Sequence, residues 1–211
     1  MEDTQTKIKK VSKKLNLMQV AIGIIIGILV FSAIRFIAYT PPKHTHYHVN
    51  LAVYIDGQRE KFESPFYYEE VTACNLDAES EPEHRVHMHG NVNDLIHVHA
   101  DAVTWGNFFQ NIGWNIGKNY IDNAKQIFQN DADKKLIFMI NGEVVDDITT
   151  RVIGNTDKLL VNYGSESKDE LKQRSDSVAS SAKQANETQD PASCSGSHEE
   201  TTVKDRFKNI L

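Results

Sequence analysis

The sequence predicts an α+β protein, in which an N-terminal transmembrane helix precedes a mixed β-sheet domain with one covering helix and a disordered C-terminal tail. Three observations lead to this prediction. Residues 17–39 form a nearly unbroken apolar run. Several segments within residues 43–164 alternate apolar with polar side chains, and this period of two is typical of β-strands. Residues 165–211 contain few large apolar side chains, so they bury too little surface to offset the entropy of ordering.

The apolar run is long enough to cross a bilayer. Its 23 residues correspond to about 34 Å of helix. Arg35 near its end can extend to the interface, and Tyr39 is typical of an interfacial anchor. A cleaved signal peptide is the alternative, but the run is long for one and no clean Ala-x-Ala site follows it. Residues 1–16 carry five lysines against two acidic residues, a net charge of +3. This predicts a single-pass protein of the cell membrane with a cytoplasmic N-terminus and an extracytoplasmic domain.

Charge and cysteine content exclude two classes of protein. Residues 17–164 carry 11 basic and 18 acidic side chains, a net charge of −7, and residues 165–211 carry 7 and 9. Without a basic stripe, a nucleic-acid partner is not expected. The two cysteines, Cys74 and Cys194, cannot build a disulfide framework.

The first predicted strand follows Pro41-Pro42, which ends the transmembrane helix. One face of this strand is apolar and the other begins with three histidines. Asp56-Gly57 is a hairpin signal, and Arg59 to Phe62 would be the returning strand. Residues 63–83 read as an acidic, irregular loop. The apolar positions are Tyr47, Val49, Leu51, Val53 and Ile55, and they alternate with His44, His46, His48, Asn50 and Ala52.

Residues 84–101 contain two His-x-His pairs that a short polar segment separates, and this pattern predicts a second hairpin with one pair on each strand. If the loop has an odd length, His89 pairs with His97 and His87 with His99, and all four imidazoles share one face. An even loop would place the two pairs on opposite faces. The odd register is favoured because the interleaved apolar residues then meet in one core. These residues are Val86, Met88, Ile96 and Val98.

The period changes to that of a helix after Asp101. Thr104 is a good N-cap and Gly113 a good C′ residue. Between them an apolar stripe recurs at helical spacing, which predicts packing over the sheet. Residues 114–133 read as a looser connection with a helical turn around 123–129. The stripe consists of Trp105, Phe108, Phe109 and Ile112.

The end of the domain predicts three closing strands. Leu136 to Val145 contains a strand, an Asn-Gly turn and a second strand, and Leu159 to Tyr163 forms the last. With the preceding helix, this order over roughly residues 95–164 resembles the β-grasp (ubiquitin-like) fold. The resemblance implies a mixed sheet crossed by one helix and no particular activity. Residues 203–211 predict either a short docking helix or a frayed terminus.

The histidines point to metal chemistry. Eight of the nine lie between His44 and His99, and neutral imidazole is the commonest protein ligand for zinc and copper. All-imidazole ligation favours these two ions over calcium or magnesium. A pH-responsive face and a cluster with no specific role are the alternatives. The predicted ligands are His87, His89, His97 and His99, joined by His46 and His48 if the first strand neighbours the hairpin, with His44, His84 and Cys74 as further candidates and Asp101 as a partner that orients an imidazole.

Resemblances to enzymes are local. Residues 96–101 resemble the His-Val-His strand of copper-zinc superoxide dismutases, but the remaining ligand pattern of that family is not evident. Cupins also place a His-x-His pair after a glycine, but here the spacing from Gly90 to His97 is one residue too long and the expected glutamate is absent. No P-loop, Gly-x-Ser-x-Gly or dinucleotide motif occurs, and no catalytic residue is assigned. Over residues 17–164 the chain also resembles small bacterial membrane proteins that join one N-terminal span to a His-x-His-rich ectodomain, a resemblance that implies no established activity.

The sequence therefore predicts a membrane-anchored, extracytoplasmic protein that binds copper or zinc through a histidine face. One alternative is a cell-surface interaction module that holds a protein partner through the tail or a sheet edge, without a metal. The other is a metal-dependent enzyme of superoxide-dismutase-like or hydrolytic type. Binding is favoured over catalysis because no general base stands out beside the histidines.

Overall fold

The computed structural model describes residues 2–40, 45–68, 82–188 and 203–208. The chain divides into two compact units, one formed by residues 1–43 with 198–211 and the other by residues 44–197. The helices are α1 (Glu2–Ala38), α2 (Pro82–Arg85), α3 (Trp105–Asn111), α4 (Lys168–Asp176), α5 (Ser181–Glu187) and α6 (Val203–Lys208), with a 3-10 turn at Pro65–Tyr67. The strands are β1 (Tyr47–Ile55), β2 (Gln58–Arg59), β3 (Val86–His87), β4 (Leu95–Val98), β5 (Asn115–Gly117), β6 (Tyr120–Asp122), β7 (Ile127–Gln129), β8 (Lys135–Ile140), β9 (Glu143–Val145) and β10 (Lys158–Gly164).

The first unit contains the apolar helix. Within α1, the 23 residues Asn16–Ala38 are long and apolar enough to cross a membrane, a test that a signal sequence near the N-terminus also passes. Helix α6 lies against the end of α1. Arg206 donates a hydrogen bond to the carbonyl of Phe36 at 2.9 Å, and the rings of Phe36 and Phe207 are 5.1 Å apart. Arg206 thus satisfies one of the carbonyls that the last turn of a helix leaves without an intrahelical partner.

The second unit is built on a mixed sheet of strand order β3-β4-β1-β10-β8-β9, with β2 paired to the end of β1. Strands β1 and β10 are parallel and lie at its centre, and the other pairs are antiparallel. The predicted Asn-Gly turn joins β8 to β9, with positive φ at both Asn141 (53°) and Gly142 (86°), as this hairpin type requires. The Asp56-Gly57 turn is also present, but its returning strand is only the two residues of β2.

One face of this sheet packs against α3, as predicted. The Thr104 side chain accepts a hydrogen bond from the backbone of Asn107 and forms a capping box with it. Trp105, Phe108 and Phe109 are fully buried against the sheet. The core-facing residues of the histidine hairpin join the same cluster, which confirms that they share one core: Val86, Met88, Ile96 and Val98.

The connection after α3 differs from its prediction. Residues 115–129 form a small three-stranded antiparallel sheet, β5-β6-β7, so the predicted loose connection and helical turn are wrong. Ile121 of its central strand is fully buried in the main core. Strands of three residues are too short to show a period of two, which is why the sequence did not indicate them.

The predicted disordered tail is not confirmed. Residues 168–187, which belong to that tail, form α4 and α5 on the second face of the main sheet. Leu171 and Val178 are buried there against Ala52, Met139 and Leu160. Strand β1 is therefore buried on both sides, although its alternating sequence predicted one outer face. Residues 189–202 lie outside the described residues.

Candidate metal centre

Six histidines lie on the second face of the sheet, on three neighbouring strands or within two residues of their ends. In the β1–β4 register His48 is directly opposite His97, and in the β3–β4 register His87 is also opposite His97. The prediction that both His-x-His pairs share one face is confirmed. The predicted pairing of His89 with His97 is wrong, since the observed register is shifted by two residues. A shift of two changes the cross-strand partner but leaves every side chain on the same face, so the shared histidine face is kept. The six are His46, His48, His87, His89, His97 and His99.

Three of these imidazoles converge. One ring nitrogen from each of His46, His48 and His97 lies within 4.8 Å of the other two. The His48 Nε2 and His97 Nδ1 atoms are 3.0 Å apart. Two imidazole nitrogens on one ion, each at about 2.0–2.1 Å, are about 2.9 Å apart at a right angle and about 3.4 Å apart at the tetrahedral angle. This hydrogen-bond distance between His48 and His97 is also the separation of two nitrogens on one ion, and His46 lies beside the pair.

The other three imidazoles surround this trio. The ring of His89 lies 4.0 Å from that of His97, and the ring of His99 lies 4.6 Å from that of His46. His87 continues the group, with its ring 5.0 Å from that of His99. The Nε2 atom of His99 is buried and has no hydrogen-bond partner among the described residues. An additional nitrogen is therefore available next to the trio.

Burial favours the neutral form of His87, His97 and His99. His48, His87 and His97 expose only 3%, 4% and 5% of their surface. Burial lowers the pKa of His87 to about 4, although its hydrogen bond to the carbonyl of Glu83 opposes this shift. Burial, and then the charge of His89, lowers the pKa of His97 far below its ordinary value. Burial, and then the charge of His87, lowers the pKa of His99 as well. Neutral imidazole is the form that binds a metal.

Hydrogen bonds to groups outside the cluster orient the imidazoles of His48 and His87. The Asn186 Oδ1 atom on α5 lies 2.7 Å from His48 Nδ1, and the Glu83 carbonyl lies 3.1 Å from His87 Nδ1. Asp101, which was expected to orient an imidazole, instead accepts a hydrogen bond from the Thr45 hydroxyl. Sequence reasoning missed Asn186 because a single asparagine in a polar segment carries no distinguishing pattern.

The remaining candidate ligands are placed differently. His44 and Cys74 lie outside the described residues. His84 is on α2, three residues before His87, and its charge contributes to the lowered pKa of His87. The first-choice set of four hairpin histidines is thus not the set whose nitrogens converge. Only His97 of that set belongs to the converging trio.

A small cavity borders the cluster on the β3 side. Its volume is about 30 Å³, and its lining includes His87, Glu83 and Tyr68. This is room for an ordered water rather than for an organic substrate. The cavity beside His87 is therefore too small to serve as a substrate pocket. The three converging nitrogens, in contrast, can bind an ion.

Comparison with known proteins found no similar protein. No protein-family model matches the chain, and neither the curated proteins nor the solved structures contain a match. The class of site rests on the histidine geometry alone.

Proposed function

We propose that this chain is a membrane-anchored, extracytoplasmic protein that binds copper or zinc. The observation that carries the proposal is the convergence of His46, His48 and His97 within 4.8 Å. Nitrogen ligands suit Zn(II) and Cu(II), whereas calcium and magnesium prefer oxygen. Since the trio provides three nitrogens, a water or the neighbouring His99 completes a four-coordinate site.

The architecture supports a binding role. The histidines lie on the face opposite the α3 core, so the fold does not depend on them for its main apolar cluster. The central parallel pair β1/β10, flanked by antiparallel strands and crossed by α3, supports a β-grasp-like arrangement as part of this proposal. The apolar helix α1 supports anchoring in a membrane, and the lysines before it support an outward-facing domain.

The direct test is metal content. The full-length chain is purified in detergent, loaded with Cu(II) or Zn(II), desalted and analysed by elemental mass spectrometry before and after chelation. We expect about one ion per chain. The double variant His48→Ala/His97→Ala should lose it, because it removes the closest pair of nitrogens. The control is His198→Ala, which removes the one histidine of the sequence that lies after His99.

Folding of each variant is followed by the fluorescence of Trp105 and Trp114, which are both buried. A wild-type chain that retains neither ion at micromolar concentration would contradict the proposal. A double variant that folds and binds as tightly as wild type would contradict the choice of ligands.

A further inference from the structure

Asn186 of α5 contacts the metal centre through two hydrogen bonds to one residue. Its Oδ1 atom accepts a hydrogen bond from the backbone N–H of His48 at 2.8 Å and lies 2.7 Å from the Nδ1 atom of the same residue. A backbone N–H can only donate, so the side-chain atom that faces it is the oxygen of the amide. The Asn186 Nδ2 group donates to Asn155 Oδ1 at 2.8 Å, which agrees with this orientation.

This contact fixes the tautomer of His48. Because the amide oxygen only accepts hydrogen bonds, the Nδ1 atom of His48 must carry the ring proton. The lone pair of the neutral imidazole is then on Nε2, which accepts a hydrogen bond from His97 Nδ1 at 3.0 Å in the metal-free chain. An ion bound by both atoms would replace this proton, which His97 can carry on its other ring nitrogen instead. In the opposite tautomer the proton would occupy Nε2, and that nitrogen could not bind an ion.

The N-terminal end of α5 is also bound to β1, by hydrogen bonds to Asn50. Asn50, which is fully buried on β1, accepts a hydrogen bond from the backbone N–H of Ala182 at 3.0 Å. Its Nδ2 group donates to Ser181 Oγ at 2.9 Å. The first turn of α5 is therefore fixed to β1 two residues beyond His48, and its last turn places Asn186 against His48.

We propose that Asn186 is a positioning residue of the metal centre, which holds His48 in the Nδ1–H tautomer and directs Nε2 towards the ion. The inference rests on the proposed metal-binding function and assigns part of the site to α5. Partners of this kind around metal-bound histidines typically contribute a factor of 10–100 to metal affinity.

The test uses the full-length chain with ¹⁵N-labelled histidine. NMR of the metal-free chain reports the tautomer of His48, assigned by comparison with His48→Gln. Competition with a chromophoric chelator reports the affinity for Zn(II). In Asn186→Ala we expect the Nε2–H tautomer of His48 to become populated and Zn(II) binding to weaken by about 10- to 100-fold. Asn186→Asp should restore both, because a carboxylate oxygen accepts the same two hydrogen bonds.

Gln184→Ala is the matched control, since Gln184 is exposed on the same helix. If Asn186→Ala does not fold, Asn186→Asp and Asn186→Gln decide the question, because Asp keeps the position of the acceptor and Gln moves it by one methylene. An alanine variant that folds with an unchanged tautomer and an affinity within twofold of wild type overturns the proposal. A wild-type chain that binds no Zn(II) overturns the proposed function instead, and the tautomer signal still shows whether Asn186 orients His48.

Discussion

His97 occupies the central position of the histidine face, because β4 lies between β1 and β3. It is opposite His48 on one side and His87 on the other. Six imidazoles can be packed this closely only if most of them are neutral, since like charges at such distances repel strongly in a buried site. The lowered pKa values of His87, His97 and His99 express this requirement.

The same pKa shifts predict that the metal-free chain loses stability in mild acid. An unfolded histidine has a pKa near 6.5, whereas burial lowers that of folded His87 to about 4. Between these values the unfolded chain binds more protons, so the free energy of unfolding falls as the pH is lowered from 6.5 towards 4. Above pH 6.5 the histidine is neutral in both states, and its contribution to the free energy of unfolding is fully present. Each such histidine contributes up to about 1.4 kcal/mol per pH unit.

Denaturant titrations of the metal-free chain at pH 7.5, 6.0 and 5.0, followed by tryptophan fluorescence, would measure this slope. His87→Gln should reduce it, because the amide does not titrate and can still donate to the Glu83 carbonyl. His198→Gln is the control and should leave it unchanged. A free energy of unfolding that does not change between pH 7.5 and 5.0 would show that the buried histidines are not held neutral by the fold.

At the scale of elements, α4 and α5 decide how much of the sheet is covered. Helix α4 begins at a Ser167–Glu170 capping box, and Arg174 stacks over the ring of Tyr54 at 4.6 Å and pairs with Glu166 at 2.8 Å. Leu171 adds apolar burial on the same side. These contacts stabilise a polar segment whose composition alone predicted disorder.

Leu171→Ala tests this ordering. Leu171 is 8% exposed and packs against the second face of the sheet. Its truncation should lower the free energy of unfolding by about 2–3 kcal/mol, as expected for a buried leucine. Thermal or denaturant unfolding of the full-length chain would measure the change. Gln173→Ala, at an exposed position of the same helix, should have little effect. Equal stability of the leucine variant and wild type would mean that α4 does not pack on the sheet in solution.

Sequence periodicity predicted the long elements well and the short or sparsely apolar ones poorly. Strand β1 and helix α3 bury several large side chains at regular spacing, so their patterns are clear. Strand β7 and helix α5 are short, and α5 has only Ala182 fully buried. Such elements depend on tertiary contacts that a local pattern does not encode.

The sequence predicted which face of the sheet carries the histidines, but it did not predict which histidines converge. The alternation of apolar and polar residues predicted all six histidines on one face, and the registers of the β1–β4 and β3–β4 pairs confirm this. The converging trio required knowledge that β1 pairs with β4, and Asn186 required the docking of α5. Both depend on contacts between residues far apart in the chain.

At the scale of the whole molecule, the chain joins an apolar helix with exposed side chains to a domain whose apolar side chains are buried. The 23 residues Asn16–Ala38 have exposed apolar side chains, which are stable in lipid and unfavourable in water. The domain of residues 44–197 buries an apolar core of its own. The single-pass arrangement proposed above would suit both, with the domain on the outer side.

This arrangement predicts the location of each end of the chain. In cells that express the Cys74→Ser variant, Cys194 should react with a membrane-impermeant maleimide without permeabilisation, because it lies on the C-terminal side of the apolar helix, as the outward-facing domain does. In a Cys74→Ser/Cys194→Ser background, Ser12→Cys should react only after permeabilisation, since the lysine-rich segment stays in the cytoplasm. The membrane fraction should resist carbonate extraction, and the intact mass should include residues 1–39. Cleavage after the apolar run would identify a signal peptide, and the reverse labelling pattern would place the histidine face in the cytoplasm, where the proposed extracytoplasmic role could not operate.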